Sequence, residues 1–314
     1  MSVDRILLVS LDNLGDLVFA SALAPPLRER FPSAVLDVWC KAYAADVARL
    51  VPSVSDVIAS DPFWDVAPGR AKGSRLAFLR AVREVRRRHY DVAVLAAAPW
   101  RTAAAVAATR IPRRIGLRRR KNRYFLTDVL PDENIDRPVL TELARLLAPL
   151  GIDANSLRYR LDAFSLAPRR QRLATVIDRP YAALHPFASK ENRCVALPVW
   201  IELSHALSER GMSILWIGSQ SELNRLRAFA ASPEWRYMDR AGDGTLADAA
   251  AGLADASLFV GHDSGPLHVA GALGVPVVGI FAPGEPRRTF PQGVGPSRML
   301  ARPAPTGITA GEIL

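Results

Sequence analysis

Cysteine is scarce in this chain of 314 residues, which contains only Cys40 and Cys194. The two cysteines lie far apart and form neither a Cys-x-x-Cys pair nor a spacing typical of metal ligands. The sequence therefore predicts neither a disulfide framework nor a zinc site.

Long apolar runs are also missing. A long uncharged stretch covers residues 268–284, and its glycines and prolines favour a helix–turn–strand unit over a membrane span. The N-terminal apolar run, Ile6 to Val9, is short and follows Asp4 and Arg5, unlike a signal peptide. These features predict a cytoplasmic protein.

Acidic residues are too few to balance the basic ones. The chain has 41 lysines and arginines against 31 aspartates and glutamates, which gives a net charge of +10. This surplus favours anionic partners such as nucleotide phosphates, phosphorylated glycans, acidic lipid head groups or nucleic acid, without choosing among them. The apolar fraction of 49% is ordinary for a folded globular protein, so disorder is not expected.

What the sequence does contain is a repeated alternation of short apolar runs with longer amphipathic stretches. Strands that alternate with helices predict parallel sheets flanked by helices. Two such series predict an α/β protein with two doubly wound domains, residues 1–165 and 166–314. Helices are expected over 17–30, 73–89 and 139–150, and the inner face of the second is expected to carry Leu76, Leu79, Val82 and Val85.

The first candidate site is the loop after the first predicted strand. Ligands of open parallel sheets bind beyond the carboxyl ends of the strands. This loop has the sequence Leu-Asp-Asn-Leu-Gly-Asp over residues 11–16 and is no Gly-x-Gly-x-x-Gly fingerprint. Asp16 has two interpretations, a general base that faces the cleft or the N-cap of the next helix, and spacing alone favours the cap.

The second candidate loop, residues 261–268, has the sequence Gly-His-Asp-Ser-Gly-Pro-Leu-His and opens a helix. Ser264 and Gly265 would present backbone N–H groups at a helix N-terminus, where the dipole also favours anions. We therefore predict a phosphate site, with a capped tight turn as the alternative. His268 lies one helical turn further and is expected to face either the ligand or the core.

The third candidate loop covers residues 185–193. Its Ser189, Lys190 and Arg193 could neutralise a diphosphate. The alternative is a solvated polar loop, which is the common fate of such a run. Both the second and the third loop lie in the C-terminal series of elements.

A dense basic segment lies in the N-terminal series. Residues 110–123 include eight lysines and arginines and no acid. We predict that this segment holds an anionic acceptor or touches a membrane surface. Nucleic acid is disfavoured, because Tyr124 and Phe125 are the only aromatic residues nearby. The predicted acceptor-binding residues are Asn13, Arg118, Arg119, Arg120 and Lys121.

With these loops in view, the chain resembles glycosyltransferase family 9, the ADP-heptose:lipopolysaccharide heptosyltransferases. Residues 6–16, followed by Phe31-Pro32, are similar to the start of that family. The Asp-Ser-Gly-Pro-Leu-His of residues 263–268, with 272–278 and 281–283, is similar to its most distinctive motif. Residues 114–116, Arg-Ile-Gly, are similar to a basic strand of the family.

The resemblance implies a GT-B fold, which has two facing Rossmann-like domains, with the acceptor on the N-terminal side and the donor nucleotide on the C-terminal side. It implies inverting transfer of a heptose from ADP-heptose to a glycan hydroxyl, with no metal and no cofactor, at the cytoplasmic face of the membrane. Asp16 matches the catalytic base of the family, and Glu222 matches an acid that contacts the nucleotide ribose. The donor-binding loop is matched by Asp263, Ser264, Gly265 and His268.

The chain departs from the family in two places. The family has a lysine before a Trp-Pro pair, whereas residues 193–198 here are Arg-Cys-Val-Ala-Leu-Pro, so Lys190 or Arg193 would have to supply the cation. Residues 308–314 resemble only the start of the closing helix of the family. Two alternatives to transfer therefore stand: a nucleotide-sugar epimerase of the same fold, and an inactive protein that binds a nucleotide-sugar or another anion.

Overall fold

The computed structural model of the protein describes residues 3–65, 72–131, 137–154, 156–230, 235–239, 245–284 and 286–314, and the side chains of 237–239 are not described. The chain divides into two compact units, Met1–Tyr159 and Arg160–Leu314. Each unit contains its own six-stranded sheet, and every strand pair within the sheets is parallel. The predicted α/β class is therefore confirmed.

The sheet of the first unit has the strand order β3-β2-β1-β4-β5-β6. This is the doubly wound order of the Rossmann fold. β1 lies in the middle, and successive strands are added on one side of it up to β3 and on the other side from β4 onward. The strands are β1 (Arg5–Ser10), β2 (Val35–Cys40), β3 (Asp56–Ala59), β4 (Val92–Leu95), β5 (Arg113–Leu117) and β6 (Asp128–Leu130).

The helices of the first unit are α1 (Leu14–Ser21), α2 (Ala24–Arg30), α3 (Ala45–Ala48), α4 (Arg75–Arg87), α5 (Trp100–Ala108) and α6 (Val139–Ala144). The expected helix 17–30 is thus two helices. Pro25 and Pro26 are at the start of α2, where a missing N–H is tolerated, and their rings prevent the continuation of α1. The expected helix 139–150 changes at Arg145 into a 3₁₀ helix that contains Pro149.

The inner face of α4 differs from the prediction. Phe78, Ala81 and Val85 are buried, whereas Leu76 and Leu79 are 69% and 48% exposed. A spacing of three residues falls 60° short of a full turn at each step, so positions 76, 79, 82 and 85 drift around the helix. Packing decides the rotation, because the Phe78 ring stacks on Trp39 of β2 with centroids 5.6 Å apart.

The sheet of the second unit has the order β12-β11-β10-β7-β8-β9. Counted from its own first strand this is the same doubly wound order, with β7 and β10 adjacent in the middle. The strands are β7 (Tyr181–His185), β8 (Ser213–Gly218), β9 (Trp235–Asp239), β10 (Leu258–His262), β11 (Val277–Phe281) and β12 (Ser297–Ala301).

The helices of the second unit are α7 (Ala167–Leu173), α8 (Leu197–Glu209), α9 (Gln220–Phe229), α10 (Leu246–Ala254), α11 (Gly265–Ala272), α12 (Pro286–Thr289) and α13 (Ala310–Ile313). The core on one side of this sheet is built around Trp200 of α8 and Trp216 of β8, both fully buried. None of the helices formed by the described residues combines the length and the apolar character that a membrane crossing requires.

Candidate active site

The loop that ends in Asp16 leaves β1 at the point where the first sheet reverses its strand order. Loops at such a point flank the crevice in which doubly wound sheets hold their ligands. Asn13 is the exposed N-cap of α1, and its backbone N–H donates to the Asp16 carboxylate over 3.3 Å. The loop therefore presents Asp16 in the first turn of α1, beyond the carboxyl end of the central strand β1.

Asp16 has an unusual electrostatic environment. Its side chain is exposed to solvent at the surface, yet dense protein around the carboxylate displaces much of the bulk water. That desolvation, followed by the nearby charge of Asp12, raises the pKa of Asp16 to about 7. The hydrogen bond from the Asn13 backbone and the charge of Lys41 act in the opposite direction. A carboxylate with this pKa is suited to proton transfer near neutral pH.

Lys41 is a member of this site that the sequence analysis missed. It follows β2 directly, is only 5% exposed, and forms an ion pair with Asp65. Its charge lowers the pKa of Asp16. Buried lysines are rare unless they are paired, so the burial of Lys41 marks it as a candidate site residue. That burial is a property of the fold and cannot be predicted from a single lysine in the sequence.

The predicted acceptor-binding cations lie together after β5. Arg118, Arg119, Arg120 and Lys121 are all exposed and line an open cavity of about 680 Å³. Arg123, Tyr124 and Pro131 complete the lining. Five cationic side chains around one cavity make a strongly positive surface on the first unit, as the composition of this segment predicts.

Asn122 holds this basic loop in place, and the sequence analysis did not identify it. Its side chain is fully buried and donates to the carbonyls of Ala98 and Leu117 over 2.8 and 2.9 Å. Its Oδ1 accepts from the Arg119 backbone N–H over 2.8 Å. Lys121 has a φ of 66°, so the chain turns sharply at this point. One amide thus ties the loop after β5 to the loop after β4.

In the second unit, two of the predicted loops flank the point where the strand order reverses. The third loop leaves β7 and the Asp263 loop leaves β10, and these strands are neighbours. Val195, two residues after the third loop, donates its backbone N–H to Nε2 of His262 over 2.9 Å and so joins this part of the chain to the second loop. Burial, followed by the neighbouring His185, lowers the pKa of His262 to about 3, so its ring is neutral and can accept this bond.

Within the Asp263 loop, the polar side chains contact other residues of the second unit. One carboxylate oxygen of Asp263 lies 3.4 Å from Nε2 of His268, and the other accepts from the Thr289 hydroxyl over 3.1 Å. His268 is 2% exposed, so it is buried against this carboxylate. Ser264 is the N-cap residue of α11, but its hydroxyl donates to the His262 carbonyl instead of capping the helix. The first turn of α11, which begins at Gly265, thus stays suited to an anion.

The remaining predicted donor-binding residues differ in their surroundings. Ser189 and Lys190 are exposed, and Arg193 is half-buried at the end of a 3₁₀ turn, Glu191–Arg193. Glu222 lies in the first turn of α9 and forms a capping box: its carboxylate accepts from the Ser219 N–H over 2.7 Å, and its N–H donates to the Ser219 hydroxyl over 3.4 Å. The capping box by itself accounts for the position of the Glu222 side chain, so no ligand is needed to explain it.

Among the residues that the structure describes, no group of three or more histidine, cysteine, aspartate or glutamate side chains could hold a metal ion. The cationic side chains after β5 and the N-terminus of α11 are groups of the kind that binds anions without a metal.

The two Rossmann-like units, each with candidate residues where the strand order reverses, are the two domains of a GT-B fold. A family model described as glycosyltransferase family 9 (heptosyltransferase) matches residues 78–301. The chain therefore belongs to glycosyltransferase family 9, as its motifs suggested, and is a glycosyltransferase.

Individual relatives agree with this assignment. The chain is 25% identical to lipooligosaccharide heptosyltransferase 2 of Haemophilus ducreyi, over 91% of this chain and 86% of that protein. The solved ADP-heptose lipopolysaccharide heptosyltransferase II of E. coli matches with a TM-score of 0.81 at 20% identity, over 98% and 96% of the two chains. The E. coli heptosyltransferase WaaC, solved with ADP-2-deoxy-2-fluoro heptose, matches with a TM-score of 0.76 at 19% identity, over 98% and 97%.

Proposed function

We propose that this glycosyltransferase transfers a heptose from ADP-heptose, with inversion, to a hydroxyl group of an anionic glycan. The observation that carries the proposal is the Asp16 carboxylate, which has a pKa of about 7 and lies where the first sheet reverses its strand order. The sugar and the nucleotide rest on the family, whose relative WaaC was solved with an ADP-heptose analogue.

Asp16 is the general base in this proposal. It takes the proton of the acceptor hydroxyl while that oxygen attacks the anomeric carbon of the sugar, and the bond from that carbon to the diphosphate oxygen breaks. The products are the glycoside and ADP, and Asp16 returns its proton to water. A single displacement of this kind inverts the configuration at the anomeric carbon.

The second unit holds the donor and stabilises the leaving group. The N-terminus of α11, after Ser264, faces the diphosphate with backbone N–H groups, and Lys190 and Arg193 add positive charge. Asp263 and His268 keep this loop in shape through their mutual contact. Glu222 contacts the ribose while it keeps its capping box with Ser219. No metal is required in this scheme, because these cationic groups neutralise the phosphates.

The first unit holds the acceptor. The cations of the cavity after β5, Arg118 to Lys121, bind anionic groups of the glycan, and Asn13 donates to an acceptor hydroxyl near Asp16. A glycan with phosphate or carboxylate groups fits this cavity better than a neutral sugar. The site of action is the cytoplasmic face of the membrane, where such a glycan is presented.

The test uses Asp16→Asn, which keeps the shape of the side chain and removes the base. With ADP-heptose and a phosphorylated lipid A–core acceptor, we expect kcat to fall by about 100-fold or more. The affinity for ADP, measured by calorimetry, should stay within about twofold. Transfer is assayed with and without EDTA, and the anomeric configuration of the product is read by NMR.

Four outcomes would contradict the proposal. Normal turnover by Asp16→Asn would remove Asp16 as the base. Loss of activity in EDTA would contradict the metal-free scheme. Conversion of the donor to an isomer in the absence of acceptor would identify the protein as an epimerase. Failure to bind ADP, UDP or GDP would show that the protein no longer binds a nucleotide-sugar donor.

A further inference from the structure

The outer face of α4 carries two leucines that the fold does not use. Leu76 is 69% exposed and Leu79 is 48% exposed, while Phe78, Ala81 and Val85 bury the opposite side of the helix. Ser74 caps the helix by accepting from the Ala77 N–H, so this first turn is regular. The leucines are therefore a fixed apolar pair on the surface of the first unit.

The same face continues as a row of arginines. Arg80, Arg83 and Arg87 are exposed and lie four, seven and eleven residues after Leu76, a spacing that keeps them on the side of the leucines. Arg75 and Arg86 are exposed beside this row. The only acid of the helix, Glu84, is paired with Arg88 over 2.9 Å and does not neutralise it.

This combination selects the kind of partner. Nucleic acid offers phosphates to the arginines but nothing to a pair of leucines that points straight outward. An anionic lipid bilayer offers both, because leucines reach the acyl boundary while arginines stay among the head groups. A helix of 13 residues cannot span a bilayer, but it can lie flat on its surface.

We propose that α4 is a membrane-contact helix, which lays Leu76, Leu79 and the row of Arg80, Arg83 and Arg87 on an anionic bilayer. The contact goes beyond the transfer reaction and does not depend on it, since none of these residues belongs to the proposed active site. It would hold the enzyme at a surface rather than bind a single soluble anion.

The test is co-sedimentation of the full chain with vesicles of phosphatidylcholine and phosphatidylglycerol in equal amounts. We expect binding to these vesicles and little binding to phosphatidylcholine alone. The variant Arg83→Glu/Arg87→Glu should lower the partition coefficient by about 25-fold or more, at about fivefold for each basic residue lost from an anionic surface. The variant Leu76→Ser/Leu79→Ser should lower it by about tenfold.

Matched controls separate this helix from the overall positive charge. Arg210→Glu/Arg298→Glu changes two exposed arginines of the second unit and alters the net charge equally, and Phe229→Ser removes an apolar residue that is 53% exposed. Both should keep most of the vesicle binding, and all variants should keep the circular dichroism of the wild type.

Two results would overturn the proposal. Equal losses in the α4 and control variants would show that net charge alone attracts the protein to vesicles. Unchanged binding by Leu76→Ser/Leu79→Ser, together with tighter binding to duplex DNA that the arginine variant abolishes, would identify a nucleic-acid surface. Retention of vesicle binding by Asp16→Asn, with transfer lost, would show that the membrane contact stands apart from the reaction.

Discussion

Asp16 lies in the first turn of α1 and accepts the Asn13 N–H, as expected of an acid near a helix N-terminus. It is not the N-cap that its spacing favoured, because α1 begins three residues earlier than expected and Asn13 takes the cap position. Its pKa is raised to about 7, first by desolvation and then by Asp12, which a simple surface cap would not show. The carboxylate is thus held in place by the helix and tuned by its neighbours.

The pKa of Asp16 predicts how activity responds to pH. At pH 6 only about one tenth of a carboxylate with pKa 7 is ionised, so kcat/KM should fall below neutral pH. Asp12→Asn removes a charge that raises this pKa, so more of Asp16 is ionised at pH 6. We expect kcat/KM at pH 6 to rise by about twofold or more relative to the wild type. Initial rates between pH 5 and 9 measure the shift.

Lys41→Gln provides the opposing variant. Lys41 lowers the pKa of Asp16, so its loss should move the acid limb of the profile to higher pH. Shifts in the same direction for both variants would refute the electrostatic account. Lys41 is buried and paired with Asp65, so its replacement can also destabilise the fold. Thermal unfolding of the Lys41→Gln variant and of the wild type is therefore compared before their rates are.

At the level of elements, loop placement was easier to predict than helix rotation. The strands β1, β2, β7 and β8 are mostly apolar and almost entirely buried, so their sequences are readily predicted as strands of a parallel sheet. The edge strands β3, β6 and β12 were missed, since they are short and only partly buried. The orientation of α4 was wrong because leucines at a spacing of three suggest a face, while the Phe78–Trp39 stack sets the real one.

Asn122 is the clearest case of an element held by one side chain. Asn122→Ala removes three hydrogen bonds and leaves buried carbonyls of Ala98 and Leu117 without this partner. We expect a loss of about 1–3 kcal/mol in the free energy of unfolding. The basic loop should shift, so that KM for the anionic acceptor rises by about tenfold while KM for the donor stays unchanged.

Thr109→Val serves as the matched control for this prediction. Thr109 is buried in the same unit, and its hydroxyl donates to the Val106 carbonyl over 2.6 Å. Its loss should also lower stability but leave both KM values unchanged. Equal changes of acceptor KM in the two variants would mean that general destabilisation, and not loop position, sets the acceptor affinity.

For the whole molecule, the predicted net charge of +10 has a consequence for acceptor binding. Much of the attraction between an anionic glycan and exposed arginines acts through water and is screened by salt. Raising the salt from about 0.01 to 0.1 M shortens the Debye length from about 30 to about 10 Å. We expect the acceptor KM to rise by about fivefold over this range.

The basic cavity should account for most of this salt dependence. Arg118→Gln/Arg120→Gln removes two of its cations, so the plot of acceptor KM against salt should become flatter. The exposed pair Arg210→Gln/Arg298→Gln changes the net charge equally and should leave the slope nearly intact. If both pairs flatten the slope alike, the acceptor responds to the whole charge of the protein and not to this cavity.

The α/β class, the two doubly wound series and the loops that carry Asp16 and Asp263 are predictable from the chain alone, because apolar periodicity and loop motifs are local properties of the sequence. The three-dimensional fold accounts for the remaining features. It fixed the raised pKa of Asp16, the support of the basic loop by Asn122, the link from Val195 to His262, and the outward leucines of α4. Each of these depends on residues distant in sequence, and desolvation or packing arises only when the fold brings such residues together.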